Sequence, residues 1–151
     1  MLSIIAIGKK HEPWVHIGIE RYAKRLSRAW QCEWILLPHS TAKDGTARQD
    51  ESHRILSRIN DTDIVILLDE HGKTFTSPAL SQQIETFLGS AHRMVFIIGG
   101  AYGVNEALTR RANLIWSLSS LVFPHQLVRL ILIEQLYRAQ TIANGHPYHH
   151  S

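Results

Sequence analysis

The sequence predicts an α/β fold, a mostly parallel sheet with helices on both faces. Five short apolar segments rich in Ile, Val and Leu are separated by longer stretches whose apolar residues recur at helical spacing. Strands that alternate with helices favour a parallel sheet, because the crossover helices cover its faces. With 151 residues the chain can bury one sizeable core, and we expect a single domain over residues 1–151.

The N-terminal part contains the first two predicted strands and the helix between them. Residues 2–8 form an Ile-rich segment that ends at a glycine, which is typical of a buried strand. Residues 12–30 have helical spacing, and Pro13 suits the first turn of a helix. Residues 32–38 are apolar and end at a proline, so they predict the second strand.

The middle of the chain contains a loop, a strand and two helices. Residues 39–52 are polar with an internal glycine, and they predict a mobile loop that enters a helix over roughly 48–59. Residues 63–70 are the third strand. The turn that follows leads into a helix for which we expect Ser77 as the cap and Pro78 as the first position.

The C-terminal part contains two more strands, 93–100 and 113–120, and a closing helix over 125–144. This last helix is apolar nearly all round from Leu127 to Ile133. Such a helix favours burial in the core or against a second subunit. An Asn-Gly pair ends the helix, which is a common way to stop one.

Composition limits the classes of function. The net charge of +3 and the sequence pI of about 9.2 permit a nucleic-acid partner without requiring one. Cys32 is the only cysteine, so no internal disulfide can form, which suits a reducing compartment. The chain has no apolar run of the roughly 20 residues that a membrane span needs, and its N-terminus lacks a secretory pattern. We therefore expect a cytoplasmic protein without a membrane partner.

Three strand ends offer places for a ligand, because open α/β sheets bind ligands beyond the carboxyl ends of their strands. They are residues 68–70, 99–103 and 117–124. The glycines in 99–103 allow a close approach of backbone to a ligand, but their spacing fits a tight turn equally well. The apolar residues 121–123 either pack in the core or line a slot for a flat, largely uncharged ligand such as a purine.

Other kinds of site have weaker support. His146 and His149 have a metal-like spacing, but no cysteine and no nearby acidic residue completes a zinc site, so we expect no metal. The adjacent carboxylates 69–70 could serve a hydrolase, yet neighbouring residues of a strand point to opposite faces. Glu134 and Arg138 are four residues apart in the last helix, which favours an internal ion pair.

Six motifs occur in order along the whole chain. They are IIAIGKK, ILLDEHGK, FIIGG, WSLSSLVFPHQLVR, LIEQLYRA and HPYH. Together they resemble the RlmH family of bacterial ribosomal RNA large-subunit methyltransferases. The ordered set is far more specific than any one motif alone.

The resemblance implies a fold, a reaction and a site. The fold would be the SPOUT fold, whose C-terminal part forms a trefoil knot, and the protein would be a homodimer. It would transfer a methyl group from S-adenosylmethionine to N3 of pseudouridine 1915 in helix 69 of 23S rRNA within the assembled 70S ribosome. The implied cofactor-binding residues are Leu68, Gly100, Ser119, Ser120, Leu121, Val122, Phe123 and Pro124.

The resemblance also implies a role in RNA binding and catalysis for the C-terminal segment. The implied catalytic residues are Arg138, Tyr148 and His149, with His125 and Arg129 as weaker neighbours. We expect His149 or Tyr148 to orient or deprotonate the target nitrogen, and Arg138 to hold a phosphate or carbonyl oxygen.

Two positions depart from the family pattern. The glycine loop carries Ala101 and Tyr102, where relatives often have Pro or Ser and then a different residue, so its shape would differ. His150 follows the HPYH motif where relatives commonly carry Lys or Arg. A fixed positive charge then becomes pH-dependent, which would weaken phosphate contact at neutral pH.

Two alternative functions stay open at this point. A ribosome-binding or assembly factor without catalytic activity would use the glycine loop only as a turn. A SPOUT methyltransferase that acts on tRNA would need more basic surface or an added RNA-binding domain, and neither is visible in the sequence.

Overall fold

The fold is an α/β structure with one parallel sheet, as the alternation of segments predicts. The computed structural model describes residues 2–150, so the expected domain limits at residues 1 and 151 lie outside the described residues. Every neighbouring pair of strands is parallel, and the strand order is β2-β1-β4-β3-β5. The strands are β1 Leu2–Ile7, β2 Cys32–Leu37, β3 Ile64–Lys73, β4 Met94–Ile98 and β5 Leu114–Trp116.

Five helices cover the two faces of this sheet. They are α1 Pro13–Ala23, α2 Asp44–Leu56, α3 Ser77–Leu88, α4 Glu106–Arg111 and α5 His125–Ala143. The larger core lies on the face covered by α1, α3 and α5, and it includes Val15, Leu80 and Leu132. The smaller core lies on the other face, where Ile55 of α2 and Leu108 of α4 pack against the strands. Strands β1 and β4 are therefore buried from both sides, whereas the edge strands β2 and β5 are mostly half-buried.

Several helix boundaries differ from the predicted ones for local reasons. The helix predicted over 12–30 ends at Ala23, and a short 3-10 turn at Arg28–Trp30 buries Trp30 before β2 begins. Helix α2 begins at Asp44, so the segment expected to be a loop until about residue 48 is already helical. The cap of α3 is Thr76, whose hydroxyl accepts a hydrogen bond from the next turn, and not Ser77.

The sequence patterns did not predict α4, and they predicted a longer β5 than the structure has. Helix α4 has only six residues, and the side chain of Asn105 starts it by accepting a hydrogen bond from the Leu108 amide at 2.9 Å. A helix this short has too few residues for a clear period. Strand β5 ends at Trp116, whereas the prediction continued it to residue 120. The chain leaves the sheet there and forms the loop that leads into α5.

The closing helix is buried as predicted, but it also carries polar groups into the core. Arg129 has no exposed surface, and Gln140 and Thr141 are buried as well. No helix of the described residues is both long and apolar enough to cross a membrane. The trefoil knot implied by the resemblance stays a prediction.

Candidate functional site

An open cleft lies at the carboxyl edge of the sheet, where β4 and β5 end and where β3 leaves its regular pairing after Leu68. Its empty volume is about 680 Å³, which includes space open to solvent. This is the position at which parallel sheets bind ligands, and three separate loops converge there. The cleft is lined by Leu68, Asp69, Glu70, Ile98, Gly99, Gly100, Gly103, Val104, Leu118, Ser119, Leu121, Val122, Phe123, His125 and Val128.

The loop between β5 and α5 forms an apolar wall of the cleft. Leu121 and Val122 are 69% and 77% exposed, so they do not pack in the core. Hydrogen bonds within the loop set its shape: the Ser117 hydroxyl donates to the Ser119 carbonyl at 2.9 Å, and the Leu121 amide donates to the Ser119 hydroxyl at 3.0 Å. Apolar side chains held open to solvent by a preformed loop are typical of a ligand site.

The glycine loop forms the opposite wall and requires glycine at two positions. Gly103 has φ of +75°, and its amide donates to the Gly100 carbonyl at 3.0 Å in a tight turn. At Gly100 the space for a Cβ is already filled by the Glu51 carboxylate and by Ile7. The tight turn is therefore present, and the close approach at Gly100 is to Glu51 and Ile7, whereas the approach of a ligand to this backbone stays a prediction.

Six of the eight predicted cofactor-binding residues line this one cleft. The other two, Ser120 and Pro124, are exposed and lie outside its lining. Pro124 instead occupies the N-cap position of α5. The residues that line the cleft are Leu68, Gly100, Ser119, Leu121, Val122 and Phe123.

Two adjacent carboxylates make one side of the cleft acidic. We expected Asp69 and Glu70 to point to opposite faces of a strand, but both line the cleft. The reason is a register shift in β3 between Leu68 and Lys73, which interrupts the regular alternation of side chains. Asp69 also accepts a hydrogen bond from the backbone amide of His71 at 2.8 Å, and Nδ1 of the His71 ring lies 3.0 Å from the same oxygen.

A completely buried arginine fixes the end of β1 to α5 beside the cleft. The guanidinium of Arg129 donates to the carbonyls of Ile7, Gly8 and Lys10 at 2.9, 3.1 and 3.1 Å, and it lies 3.2 Å from Nδ1 of His11. Burial lowers the pKa of Arg129. The resemblance implied Arg129 as a neighbour of the RNA site, but its burial excludes direct contact with RNA.

A buried carboxylate lies behind the glycine loop. One oxygen of Glu51 accepts from the Ser40 amide at 2.9 Å and faces the ring of His39 at 3.8 Å. Its other oxygen has no hydrogen-bond partner among the described residues. Nearby, burial and then the charge of Arg129 lower the pKa of His125, so this residue of the cleft lining is neutral at pH 7. The sequence offered no signal for Glu51, because a single carboxylate in a polar helix is usually exposed.

The C-terminal arm, residues 146–150, folds back onto α5. The amide of His146 donates to the Thr141 carbonyl at 2.8 Å, which turns the chain after the helix. The ring of Tyr148 then packs edge-on against Tyr137, with 4.8 Å between ring centroids. The segment is therefore packed in a defined position and is not a frayed end.

Four polar side chains meet where the arm contacts α5, and we call them the arm cluster: Glu134, Arg138, Tyr148 and His149. Arg138 donates twice to one oxygen of Glu134, at 2.7 and 3.1 Å, which confirms the predicted ion pair. Tyr148 donates to the same oxygen at 3.1 Å, and Nδ1 of His149 lies 3.1 Å from the Arg138 guanidinium. The three predicted catalytic residues thus come together around the carboxylate of Glu134, for which the sequence favours an internal ion pair.

The arm cluster and the cleft involve different turns of α5. His125 at the start of the helix lines the cleft, whereas Arg138 belongs to the arm cluster. Thirteen residues separate these two, about 20 Å along the axis of an α-helix, whereas Val128 of the lining and Glu134 of the cluster are six residues apart, about 9 Å. Among the described residues, none of the arm cluster lines the cleft of the same chain.

Comparison with known proteins identifies the class of protein first. Residues 1–149 match the family described as predicted SPOUT methyltransferases. The proteins named ribosomal RNA large subunit methyltransferase H in Streptococcus pneumoniae strain CGSP14 and in serotype 4 strain TIGR4 are each 41% identical to this chain over 156 residues. These matches cover 98% of this chain and 98% of each relative. The chain therefore belongs to the RlmH family of SPOUT methyltransferases.

Among solved structures, the chain is similar to the SpoU methyltransferase AviRb from Streptomyces viridochromogenes, a complex with AdoMet. The similarity covers 93% of this chain and 58% of that one. The TM-score is 0.48 and the sequence identity is 13%.

Proposed function

We propose that this protein methylates N3 of pseudouridine 1915 in helix 69 of 23S rRNA, with S-adenosylmethionine as the methyl donor and the assembled 70S ribosome as the substrate. Membership in the RlmH family makes it a methyltransferase of large-subunit ribosomal RNA. The observation that carries the finer proposal is the cleft at the sheet edge, whose walls contain six of the eight residues implied for cofactor binding. This substrate would also place the enzyme in the cytoplasm.

The cleft suits S-adenosylmethionine in shape and charge. Leu121 and Val122 offer an apolar wall for the adenine ring, and Gly100 permits a close approach of the ligand to the backbone. Asp69 and Glu70 lie where their charge would favour a cationic sulfonium. When bound, the cofactor supplies an electrophilic methyl group. The residues of the protein then need mainly to hold the acceptor nitrogen in line with this methyl group, because positioning of the reactants lowers the reaction barrier.

The basic surface of α1 and the segment after it suits the RNA backbone. Arg21, Lys24, Arg25 and Arg28 are all exposed. Lysine and arginine side chains contribute most of the affinity for nucleic acids through the phosphates. One chain carries a net charge of only +3, which is little for an RNA-binding protein. A dimer would double this basic surface, and the ribosome would supply a shaped partner.

We infer that the active unit is a homodimer, in which the arm of one protomer reaches the cleft of its partner. No residue of the arm cluster lines the cleft of its own chain, so the arm would meet a cleft only if it came from a second copy. Helix α1 packs against α5 and exposes two large apolar side chains, Trp14 and Ile17, at 51% and 71%. Exposed apolar surface of this kind favours association with a second copy.

Complementation between two inactive variants tests this arrangement. Val122→Glu places a charge in the cleft, and His149→Ala removes a side chain of the arm cluster. Each variant alone is expected to be inactive, whereas co-expression produces mixed dimers with one intact site. Activity should return to about a quarter of the wild-type value, because half of the dimers are mixed and each mixed dimer has one intact site out of two. No recovery in purified mixed dimers would contradict a shared site.

The substrate is tested by comparing ribosomes, naked 23S rRNA and tRNA under single-turnover conditions. We expect fast methylation of 70S particles and slow methylation of naked rRNA, since the ribosome supplies the shape that the small basic surface lacks. Equal rates would contradict the ribosome as the substrate, and methylation of tRNA would favour the tRNA alternative. Mass spectrometry of helix 69 from a deletion strain, with and without the gene, identifies the nucleotide.

Calorimetric titration with S-adenosylmethionine distinguishes the enzyme from a non-catalytic assembly factor. We expect binding that Val122→Glu abolishes, because this side chain lines the cleft. Glu106→Gln on exposed α4 is the control, and it should bind like the wild type. Absence of binding to the wild-type protein would favour the assembly factor.

A further inference from the structure

Glu134 is the central acceptor of the arm cluster. One of its oxygens accepts from the Tyr148 hydroxyl at 3.1 Å and from two nitrogens of Arg138 at 2.7 and 3.1 Å. The other accepts from the Gln135 amide nitrogen at 2.7 Å. The carboxylate side chain is only 18% exposed, so these charge-assisted bonds are shielded from water. One residue of α5 therefore determines where the arm lies and where Arg138 points.

The same contacts determine where the protons of the arm reside. Arginine can only donate, so Nδ1 of His149, which faces Arg138, carries a lone pair and the neutral ring holds its proton on Nε2. The hydroxyl proton of Tyr148 is directed to Glu134. Burial, the charge of Glu134 and a contact with Tyr22 of α1 raise the pKa of Tyr148 to about 12. Neither side chain of the arm is thus arranged to accept a proton at neutral pH.

We propose that Glu134 is a positioning residue for methylation, which holds the arm so that Arg138 and the Nε2–H of His149 donate to the two carbonyl oxygens beside the target nitrogen. The inference rests on the proposed function, because it needs a pyrimidine imide as the acceptor. It assigns the arm a role in stabilising negative charge on the target base. The sequence analysis instead expects Tyr148 or His149 to orient or deprotonate the target nitrogen.

The chemistry of an imide explains why donors would be useful there. The N3–H bond of the ring lies between two carbonyl groups, and when it breaks the electron pair stays on N3 and its charge spreads over both oxygens. Water carries the proton away. A fixed guanidinium and a fixed N–H interact more strongly with the anion than with the neutral ring, which makes the nucleophilic form more abundant. A displaced arm would lose this differential interaction.

A matched pair of substitutions tests the proposal. Glu134→Gln removes the charge but keeps the size of the side chain, and Glu106→Gln does the same in an exposed Glu-Arg pair of identical spacing on α4. With saturating S-adenosylmethionine and 70S ribosomes, we expect Glu134→Gln to lower the single-turnover rate about 10- to 100-fold, as for loss of a charged hydrogen bond. Glu106→Gln should keep the wild-type rate. A wild-type rate in Glu134→Gln would overturn the proposal.

Two further measurements separate positioning from a general loss of structure. The affinity for S-adenosylmethionine, measured by calorimetry, should not change in Glu134→Gln, since no residue of the arm cluster is part of the cleft lining. Ultraviolet titration of phenol groups, with Tyr148→Phe as the reference, should show Tyr148 ionising at lower pH once the carboxylate charge is lost. An unchanged Tyr148 titration, or a lost cofactor affinity, would contradict the assigned contacts.

The pH dependence of the wild-type rate distinguishes stabilised charge from a histidine base. Because water removes the N3 proton, we expect the rate to keep rising with pH above about 6.5, the ordinary pKa of histidine. A rate that levels off there would overturn the proposal.

Two controls keep the test interpretable. If Glu134→Gln does not fold, Tyr148→Phe is the alternative, because it removes one hydrogen bond to the same carboxylate by a change in the arm and not in the helix. Tyr148→Phe should slow methylation without weakening cofactor binding. An unchanged rate in this variant would then overturn the proposal. A wild-type protein that binds no S-adenosylmethionine and methylates no ribosome would instead disprove the proposed function.

Discussion

One added methyl group at Gly100 should disturb the wall of the cleft. A Cβ at this position would overlap one oxygen of Glu51 and lie 3.3 Å from a methyl carbon of Ile7. Glu51 is buried and cannot move freely, because its other oxygen accepts from the Ser40 amide at 2.9 Å. Gly100→Ala must therefore break that hydrogen bond or push the glycine loop into the cleft.

The contacts determine the expected size of the effect. Loss of a hydrogen bond to a charged group costs about 1.5–3 kcal/mol. Replacement of glycine by alanine returns about 0.4–1 kcal/mol, since the unfolded chain has fewer conformations to lose. The net loss of stability for Gly100→Ala is about 1–2 kcal/mol, which lowers the Tm by roughly 2–8 °C in a chain of this size. A loop pushed into the cleft also lowers the affinity for S-adenosylmethionine.

Differential scanning calorimetry and ligand titration measure both effects. Gly45→Ala in the first turn of α2 is the matched control, since a Cβ there meets nothing within 4 Å. We expect Gly45→Ala to keep the wild-type affinity and to have an unchanged or slightly higher Tm. The reasoning about the cleft wall is refuted if Gly100→Ala equals the wild type in both Tm and cofactor affinity.

Three other perturbations have defined outcomes. Arg129→Met leaves three carbonyls without their donor and should lower the free energy of unfolding in urea by about 3–5 kcal/mol. A loss under about 1 kcal/mol would contradict a structural role of these hydrogen bonds. Burial, followed by the charge of Arg129, lowers the pKa of His11 from 6.5 to about 4. Between pH 6.5 and 4 the unfolded chain therefore binds more protons than the folded one, and the free energy of unfolding should decrease as the pH falls through this range. His11→Gln should reduce this dependence when Tm is compared at pH 7 and pH 5, and an unchanged dependence would exclude His11 as its source. Ile17→Asp should convert the inferred dimer to monomer in light scattering, and an unchanged mass would exclude α1 from the interface.

The architecture could be predicted because its signals are local. The Ile-rich run before Gly8 and the apolar run that ends at Ile98 are buried on both faces, which makes them continuous and easy to recognise as strands. Boundaries were less predictable where tertiary contacts decided them. Helix α1 ends early because Trp30 must be buried and because the Ser27 amide binds Gln140 of the distant helix α5 at 2.7 Å.

The candidate cleft was also largely predictable from the sequence. Glycines after a strand and an apolar loop before a helix are local features, and the end of a parallel strand is a known place for ligands. Leu121 and Val122 remained undecided between core and ligand site, since a run of apolar residues fits either. Their exposure depends on whether other parts of the chain cover them, and none of the described residues does so fully.

The sequence by itself determined the class of fold, the family and the residues that carry the motifs. Only the tertiary structure decided that Arg129 is buried, that Glu51 lies behind the glycine loop, and that the arm binds Glu134 at a distance from its own cleft. The reason is physical: whether a charged group can be buried depends on partners that are remote in sequence. Arg129 and the Ile7 carbonyl are 122 positions apart, and no local pattern contains that contact.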